Sequence, residues 1–192
     1  MVFTRYYLPM TDRLSDLLTR TARLIAGDGH SAGLKPVQWQ ALRYLAVANR
    51  FSRTPGALTT WLGQTKGTVS QTVAALERKG LVARSEDSED RRLVRLSLTP
   101  AGYGLLAEAP EAVSDAMTAG LATPERAALE ALLARMLTGH LAKRGYRPFG
   151  QCADCRHFER DAADGAPHRC GLLALPLSDA DADAICIEQE AA

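Results

Sequence analysis

Several features that would assign this chain of 192 residues to a familiar class of protein are missing from it. No apolar run approaches the roughly 20 residues that a transmembrane helix needs, and residues 1–7 lack the continuous apolar stretch of a secretory signal. No serine, histidine or aspartate lies in a nucleophile-elbow or oxyanion motif, and no flavin or nucleotide fingerprint is present. We therefore expect a cytoplasmic protein that is not an enzyme and does not enter a membrane.

Cysteine is absent from the first 151 residues, and the four that follow are Cys152, Cys155, Cys170 and Cys186. A free cysteine behaves as a small hydrophobe and would occur in any core, so this confinement indicates that the four side chains act together. Their spacing is C-x2-C-x14-C-x15-C. Because the cytosol keeps thiols reduced, four clustered cysteines favour metal ligation over two disulfides.

Charge is segregated along the chain, although the net charge is only +1. Residues 1–148 carry a net charge of +7, and residues 149–192 carry −6. A basic body is typical of a protein that binds nucleic acid, and an acidic segment is expected to lie away from the phosphates. We place the domain boundary here, with a DNA-binding domain at 1–147 and a cysteine lobe at 148–192.

Hydrophobic periodicity predicts helices at about 11–27, 55–62, 66–79, 101–119 and 124–143, a further helix that begins after Lys35-Pro36 and includes Leu45, and two strands between residues 81 and 98. Thr65 is a suitable N-cap for the helix at 66–79, and Gly80 a suitable end. Pro110 is expected to kink or break the helix at 101–119. The order of these elements predicts a winged helix-turn-helix, because a helix, a short helix, a turn, a helix and a two-stranded ribbon follow one another.

The helix at 66–79 is expected to read DNA, because its outer face is polar and small near its N-terminus. Thr65 and Lys66 are candidates for phosphate contacts, and Gln71 for a bidentate contact with adenine. At the tip of the ribbon, Asp90 precedes two arginines, one of which is expected to enter the minor groove. The candidate DNA-binding residues are Thr65, Lys66, Thr68, Ser70, Gln71, Arg78, Arg91 and Arg92, with Asp90 orienting the wing.

These segments resemble the MarR family at residues 36–42 (PVQWQAL), 62–71 (LGQTKGTVSQ), 76–82 (LERKGLV), 90–92 (DRR) and 96–102 (LSLTPAG). The resemblance covers about residues 10–145. It implies a homodimer that binds a pseudo-palindromic double-stranded DNA operator and dimerises through its terminal helices, here about 11–27 and 101–143. Arg91 or Arg92 corresponds to the family's wing arginine, whereas Pro110 departs from the usual long helix after the wing.

The expected fold class is therefore mainly α with a small β-wing: a winged helix-turn-helix with helical dimerisation arms and a small loop-rich cysteine lobe. Thiolate sulfur is soft and selects zinc, copper(I) or iron–sulfur clusters. One C-x2-C pair with two distant single cysteines favours a cluster over structural zinc, which more often uses two close pairs. A [4Fe-4S] cluster is favoured, a [2Fe-2S] cluster or zinc remains an alternative, and thiol switching is a further possibility.

The cysteine segment also resembles the cluster-binding part of the high-potential iron–sulfur proteins, in its spacing and in the apolar residues after the third cysteine. The aromatic residue often found beside the last ligand is absent. We expect His157 and His168 to lie outside the ligand set, with replacement of one thiolate as the alternative. Candidate residues for shielding a cluster are Phe158, Leu172, Leu173, Leu175, Ile185 and Ile187.

Three functions remain open. The first is a regulator whose cluster senses oxidation, oxygen, nitric oxide or iron supply and ties the cysteine lobe to the dimer helices. The second is a regulator with a structural site and a small aromatic effector bound near Trp39, Tyr44 and Trp61, although core packing is the more ordinary use of each of these side chains. The third is an electron-transfer module tethered to DNA.

Overall fold

A computed structural model describes residues 12–27, 32–87, 90, 92–109, 111–143, 145, 149–162 and 165–190. The chain divides into two compact units, one of residues 1–36 and 110–120 and the other of residues 37–109 and 121–192. The first unit contains helices α1 (Arg13–Gly27) and α6 (Val113–Thr118), which contact each other. None of the helices within the described ranges is both long and apolar enough to cross a membrane.

The second unit contains the predicted winged helix-turn-helix. Its elements are α2 (Pro36–Val47), α3 (Pro55–Leu62), α4 (Lys66–Arg78), β1 (Val82–Glu86), β2 (Val94–Leu98), α5 (Pro100–Ala107) and α7 (Thr123–Lys143). The two strands pair antiparallel, from Val82 opposite Leu98 to Glu86 opposite Val94. Threonine hydroxyls cap α3, α4 and α5 by accepting hydrogen bonds from the third backbone N–H beyond them, which confirms the predicted cap at Thr65.

The apolar faces of α2, α3 and α4 and the inner side of β2 form the core of this domain. Its largest fully buried side chains are Leu42, Tyr44, Leu45, Leu58, Val69, Val73, Leu76 and Leu96. Each buried aliphatic side chain contributes roughly 1.5–3 kcal/mol relative to exposure, so this core fixes α4 firmly. Helix α5 packs so closely on the base of the wing that a Cβ at Gly102 would lie 2.3 Å from the Leu81 carbonyl oxygen.

The cysteine lobe contains two small sheets rather than the predicted loops alone. Strand β3 (Gly150–Gln151) pairs with β7 (Ile185–Cys186), and β4 (Phe158–Arg160), β5 (His168–Cys170) and β6 (Leu175–Leu177) form an antiparallel sheet. A 3-10 turn (Cys152–Asp154) and the short helix α8 (Asp179–Ala182) complete the lobe. Strands of two or three residues are too short to produce the alternation by which a strand is recognised in sequence.

The two helical stretches after the wing have the predicted places. The stretch at 101–119 is divided into α5 and α6, in agreement with the break expected at Pro110, which itself lies outside the described residues. The apolar side of α7 is exposed, at Leu129, Leu132, Leu133, Met136 and Leu137.

Candidate functional site

Helix α4 presents a polar surface because its apolar residues hold it against the core. Val69, Val73 and Leu76 are buried, whereas Lys66, Ser70, Gln71 and Arg78 are exposed and Thr68 is half-buried. The hydroxyls of Thr65 and Thr68 lie 2.9 Å apart, and Thr65 Oγ1 accepts from the Thr68 N–H at 3.2 Å. The two threonines therefore shape the helix N-terminus, and the exposed side chains next to them are available to a ligand.

A groove of about 320 Å³ lies between the start of α3 and the start of α4. Lys66, Ser70 and Arg84 contribute polar side chains to it. Arg84 Nε also lies 2.9 Å from Glu77 Oε2, an ion pair that joins β1 to α4. Sequence reasoning did not select Arg84, because its place beside α4 depends on the strand packing.

Two aspartates hold the wing turn. Asp90 Oδ1 accepts from the backbone N–H of Arg92 at 2.9 Å, and the Asp90 N–H donates to Asp87 Oδ1 at 3.1 Å. Asp90 was predicted to orient an arginine guanidinium, and in the structure it contacts the backbone of Arg92. Arg91 lies outside the described residues. Asp87 Oδ2 also accepts from Arg95 Nε at 2.6 Å, so Arg95, which was not a candidate, anchors the turn to β2.

This winged helix matches proteins of a known class. Residues 32–93 match the model of the MarR family. With the fold, that match makes this part of the chain similar to the DNA-binding domain of MarR-type transcriptional regulators. The proteins it resembles are regulators and not enzymes, in agreement with the prediction.

Solved structures agree with this assignment. A probable transcriptional regulator from Pseudomonas aeruginosa is 29% identical, with a TM-score of 0.53, over 65% of this chain and 97% of that one. Bordetella bronchiseptica BpsR, whose DNA binding is regulated by 6-hydroxynicotinic acid, is 25% identical with a TM-score of 0.52, over 65% and 98%. Staphylococcus aureus MepR in complex with DNA is 26% identical with a TM-score of 0.51, over 66% and 94%. No curated protein matches the chain.

About a third of this chain lies outside those three alignments, although they cover nearly all of each related structure. The family match ends at residue 93, well before the cysteine lobe. What the lobe does must therefore be argued from its own residues.

All four cysteines line one cavity in the lobe. Cys152 and Cys186 are buried, and Cys155 and Cys170 are half-buried. The other lining residues are His157, Phe158, Leu172, Leu173, Leu177 and Glu188. Sequence spacing thus predicted a set of side chains that the structure brings together, in a largely apolar setting.

Different elements deliver the four thiols. Cys152 and Cys155 are joined by a tight turn in which the Cys155 N–H donates to the Cys152 carbonyl at 3.0 Å. Cys170 ends β5, opposite Phe158 in β4, and Cys186 ends β7, opposite Gly150 in β3. Both small sheets are therefore needed to assemble the cavity.

A hydrogen bond links the thiols of Cys152 and Cys186. The hydrogen bond from the Cys152 thiol lowers the pKa of Cys186, and burial opposes this effect. The same hydrogen bond and burial raise the pKa of Cys152. The arrangement favours the thiolate of Cys186, and the thiolate is the form of cysteine that binds metals.

Further donors point at the sulfur atoms. Asn49 Nδ2 donates to Cys152 Sγ at 3.3 Å, and the Glu190 N–H donates to Cys155 Sγ at 3.5 Å. The Glu188 N–H and the Ser52 hydroxyl also favour the Cys186 thiolate. Hydrogen bonds to ligand sulfur are one of the means by which proteins set the potential of an iron–sulfur cluster.

The described residues contain no group of three or more His, Cys, Asp or Glu side chains arranged to hold a single metal ion. The four thiols share a cavity without adopting the geometry of a one-ion site. Zinc bound by four sulfurs at about 2.3 Å would require them to converge more closely.

The two histidines near the cysteines have different surroundings. His157 lines the cavity, and its Nε2 lies 3.3 Å from Glu190 Oε2. His168 lies against Phe158 with ring centroids 4.8 Å apart, and its Nε2 lies 3.2 Å from Asp179 Oδ1. Only His157 is therefore placed beside the thiols.

The predicted shielding residues are also divided. Phe158, Leu172 and Leu173 line the cavity together with Leu177, which was not a candidate. Leu175, Ile185 and Ile187 are not among its lining residues. The backbone of the two isoleucines instead bonds to the winged helix, with the Ile185 carbonyl accepting from the Asn49 N–H and the Ile187 N–H donating to Ser52.

Of the predicted effector-binding aromatics, two come together. Tyr44 and Trp61 have ring centroids 5.2 Å apart, and Phe149, which sequence reasoning did not select, stands edge-on to Trp61 at 5.0 Å. The Tyr44 hydroxyl donates to the Ser52 carbonyl at 2.7 Å, and burial raises the pKa of Tyr44. Trp39 is buried, with the Arg43 guanidinium 6.0 Å from its ring.

Proposed function

We propose that this protein is a MarR-type transcriptional regulator that binds a pseudo-palindromic operator as a homodimer. In this proposal, an iron–sulfur cluster held by Cys152, Cys155, Cys170 and Cys186 controls DNA affinity and senses redox state, oxygen or iron. The observation that carries the proposal is the convergence of all four cysteines on one apolar cavity beside a MarR-type DNA-binding domain.

DNA binding is supported by the surface of α4 and the wing. Lys66, Ser70, Gln71 and Arg78 are exposed on the helix that reads the major groove in winged-helix proteins. Arg92 is exposed on the wing turn. The DNA complex of the related MepR supports the same use of this domain.

Dimerisation is supported by apolar surface on the terminal helices. In α1 the exposed apolar residues are Leu14, Leu17, Leu24 and Ile25, and those of α7 include Leu132 and Leu137, which are 52% and 62% exposed. An amphipathic helix of a soluble protein normally buries its apolar side. A second copy of the chain is the partner that the MarR resemblance implies.

A cluster is supported by the chemistry of the cavity. Four soft sulfur donors, apolar neighbours and N–H donors aimed at sulfur are the properties that hold an iron–sulfur cluster and set its potential. When bound, such a cluster would supply one-electron chemistry or sensitivity to oxygen. The chain supplies the thiolates, the donors on Asn49 and Glu190, and the cover given by Phe158, Leu172 and Leu173.

The aromatic cluster favours a second candidate function. Trp61 is 40% exposed and lies against Tyr44 and Phe149, which is a suitable surface for a small aromatic effector. The related BpsR responds to 6-hydroxynicotinic acid. In this alternative the cysteine site holds zinc or a cluster with a purely structural role.

Metal and acid-labile sulfide analysis of anaerobically purified protein tests the cofactor. Iron and sulfide near four per chain, with a broad absorption band near 400 nm, are expected for a [4Fe-4S] cluster, and about two per chain would indicate [2Fe-2S]. One zinc without sulfide would overturn the cluster and favour the aromatic effector. Cys155→Ser is expected to lose the cluster, and Ser178→Ala, a change in the same lobe away from the thiols, to retain it.

A further inference from the structure

Residues 48–53, which follow α2 and are called the bridging loop here, lie between the cysteine lobe and the wing. Two hydrogen bonds involving the backbone of the lobe fasten it to this loop. The Asn49 N–H donates to the Ile185 carbonyl at 2.8 Å, and the Ile187 N–H donates to Ser52 Oγ at 2.9 Å. Both partners in the lobe are immediate neighbours of Cys186.

Two side chains of the loop reach further into the lobe. Asn49 Nδ2 donates to Cys152 Sγ, and its Oδ1 accepts from the Ser52 N–H at 2.8 Å. Arg50 donates through Nη2 to the carbonyl of Pro176, in β6. The loop is thus bonded directly to Cys152 and to both neighbours of Cys186. It is also connected to Cys170, because β6 pairs with β5, which ends in Cys170.

The opposite side of the loop holds the wing. Arg95 in β2 donates through Nη1 to the carbonyls of Arg50 and Phe51, at 3.1 and 2.8 Å. The Leu96 N–H donates to the Arg53 carbonyl at 2.7 Å. The backbone of one loop is therefore shared by the lobe and by β2.

Arg95 extends this connection to the wing turn. Its Nε donates to Asp87 Oδ2, and the other oxygen of Asp87 accepts from the Asp90 N–H. Asp90 in turn holds the backbone of Arg92. A continuous set of hydrogen bonds thus runs from the cysteine lobe to the wing residue that is expected to contact DNA.

A cleft of about 440 Å³ separates the lobe from the wing along this path. Arg50 and Arg95 line it together with Leu175 and Pro176 of the lobe. The two sides are not packed together there, so these hydrogen bonds, and not a shared apolar core, connect β6 with the wing along this path.

We propose that the bridging loop couples the state of the cysteine site to the conformation of the wing, with Arg50 as the positioning residue that links Pro176 to Arg95. This proposal rests on the proposed function, and it names the wing as the part of the DNA-binding domain that the site controls. The sequence had suggested a different route, through the dimer helices.

The coupling is expected because the cysteine site, the short strands, the bridging loop and the wing turn contact one another in that order. Ligation fixes Cys170 and Cys186 and thereby holds β6 and β7 against the loop. Loss of the ligated group frees these short strands, the Pro176 carbonyl leaves Arg50, and the carbonyls that hold Arg95 lose their support. The wing turn then samples more conformations, and binding DNA must order it again. We expect the loaded protein to bind DNA about 5- to 30-fold more tightly than the metal-free protein, within the usual range of such couplings.

The test compares Arg50→Ala with Arg43→Ala. Arg50 and Arg43 are both exposed arginines close to an aromatic ring, but only Arg50 bonds to the lobe. The probe is a duplex selected from a random DNA pool with loaded wild-type protein, and Kd is measured for loaded and metal-free samples of each protein. Iron and sulfide content are measured in the same samples.

The ratio of the metal-free to the loaded Kd is the decisive quantity. We expect it to fall to within about twofold of 1 in Arg50→Ala, with unchanged iron and sulfide, and to keep its wild-type value in Arg43→Ala. A wild-type ratio of 1 would overturn regulation by the cysteine site and this coupling with it. A wild-type ratio that persists in Arg50→Ala would overturn the coupling alone.

A second measurement follows the path without DNA. Hydrogen exchange of residues 82–98 is expected to quicken on metal removal in the wild type and to be independent of metal in Arg50→Ala. Arg95→Lys keeps a charge near Asp87 but loses the guanidinium fork that reaches two carbonyls. It is expected to reduce the Kd ratio, and the double variant should have the same ratio as Arg50→Ala, because residues on one path are not additive. A wild-type ratio in Arg95→Lys would contradict a shared path.

Discussion

The winged helix and the cysteine lobe belong to one compact unit but are stabilised in different ways. The winged helix has a core of large side chains from four elements, including Leu42, Leu58 and Leu96. The buried apolar residues of the lobe are Cys152, Leu177, Ala182 and Cys186, so that half of them are cysteines. Domains of about 40 residues rarely bury enough apolar surface to fold without a metal or cross-link. From this comparison we predict that the winged helix folds by burial, and that the lobe requires a group bound by its thiols.

Metal removal is the strongest way to break this comparison. We expect the lobe to lose most of its protection against hydrogen exchange, because ligand bonds in small metal-dependent domains contribute on the order of 10 kcal/mol to folding. The amides of α4 should remain protected in the same sample and serve as the control. Equal protection of the lobe with and without metal would show that it folds by its own contacts.

Truncation of matched leucines sharpens the comparison. Leu58 and Leu177 are both buried, one in the winged-helix core and the other in the cysteine cavity. In metal-free protein, Leu58→Ala should lower the free energy of unfolding by about 2–5 kcal/mol, measured by urea denaturation. Leu177→Ala should have little effect there, because the lobe is already loose. A similar loss in both variants would contradict a metal-dependent lobe.

In the comparison of the winged helix with the cysteine lobe, we expect DNA recognition to depend on the winged helix alone. Gln71→Ala should weaken binding to the selected duplex by about 1–3 kcal/mol and relax preference at one base pair, as measured by competition with duplexes altered at each position. Gln40→Ala, at an exposed glutamine of α2, provides the matched control. Undiminished affinity in Gln71→Ala would remove Gln71 from the reading surface.

The smallest expected effect concerns the start of α4. Thr65→Ala removes the hydroxyl that accepts from the Thr68 N–H and should cost about 0.5–2 kcal/mol of stability in urea denaturation. Thr60→Ala, in α3, removes a longer bond to the Gly56 carbonyl and should cost less. Metal content should be the same in both, and a larger loss in Thr60→Ala would argue against the cap.

Local regularities made much of this molecule predictable. The N-cap at Thr65, the helix start at Pro55 and the helix end near Gly80 follow from residue type and short spacing, and the structure has all three. The position of the four cysteines in the sequence predicted that they act together, including Cys152 and Cys186, which lie far apart along the chain. What sequence reasoning missed depends on long-range packing: Asn49 meets Cys152 across 103 positions, which no local period reveals.

The wing illustrates the same limit. The exposed arginines near its tip were predicted to contact DNA, but Arg95 was overlooked because it resembles any charged residue on an exposed strand. Its importance comes from the Asp87 carboxylate and the two loop carbonyls around it. Leu177 was overlooked for a related reason, since β6 is only three residues long and shows no alternation.

The pairing of β3 with β7 places the first and last strands of the lobe side by side. In sequence, six residues, 144 to 149, separate the end of α7 from β3, and the last of them, Phe149, lies edge-on to Trp61 of the winged helix. Docking of the lobe on the bridging loop is thus an intramolecular association, and modules joined by short tethers meet at local concentrations on the order of millimolar. Contacts too weak to hold two separate molecules together are then sufficient. We therefore expect a modest change at the thiols to be enough to weaken the contacts between the lobe and the bridging loop.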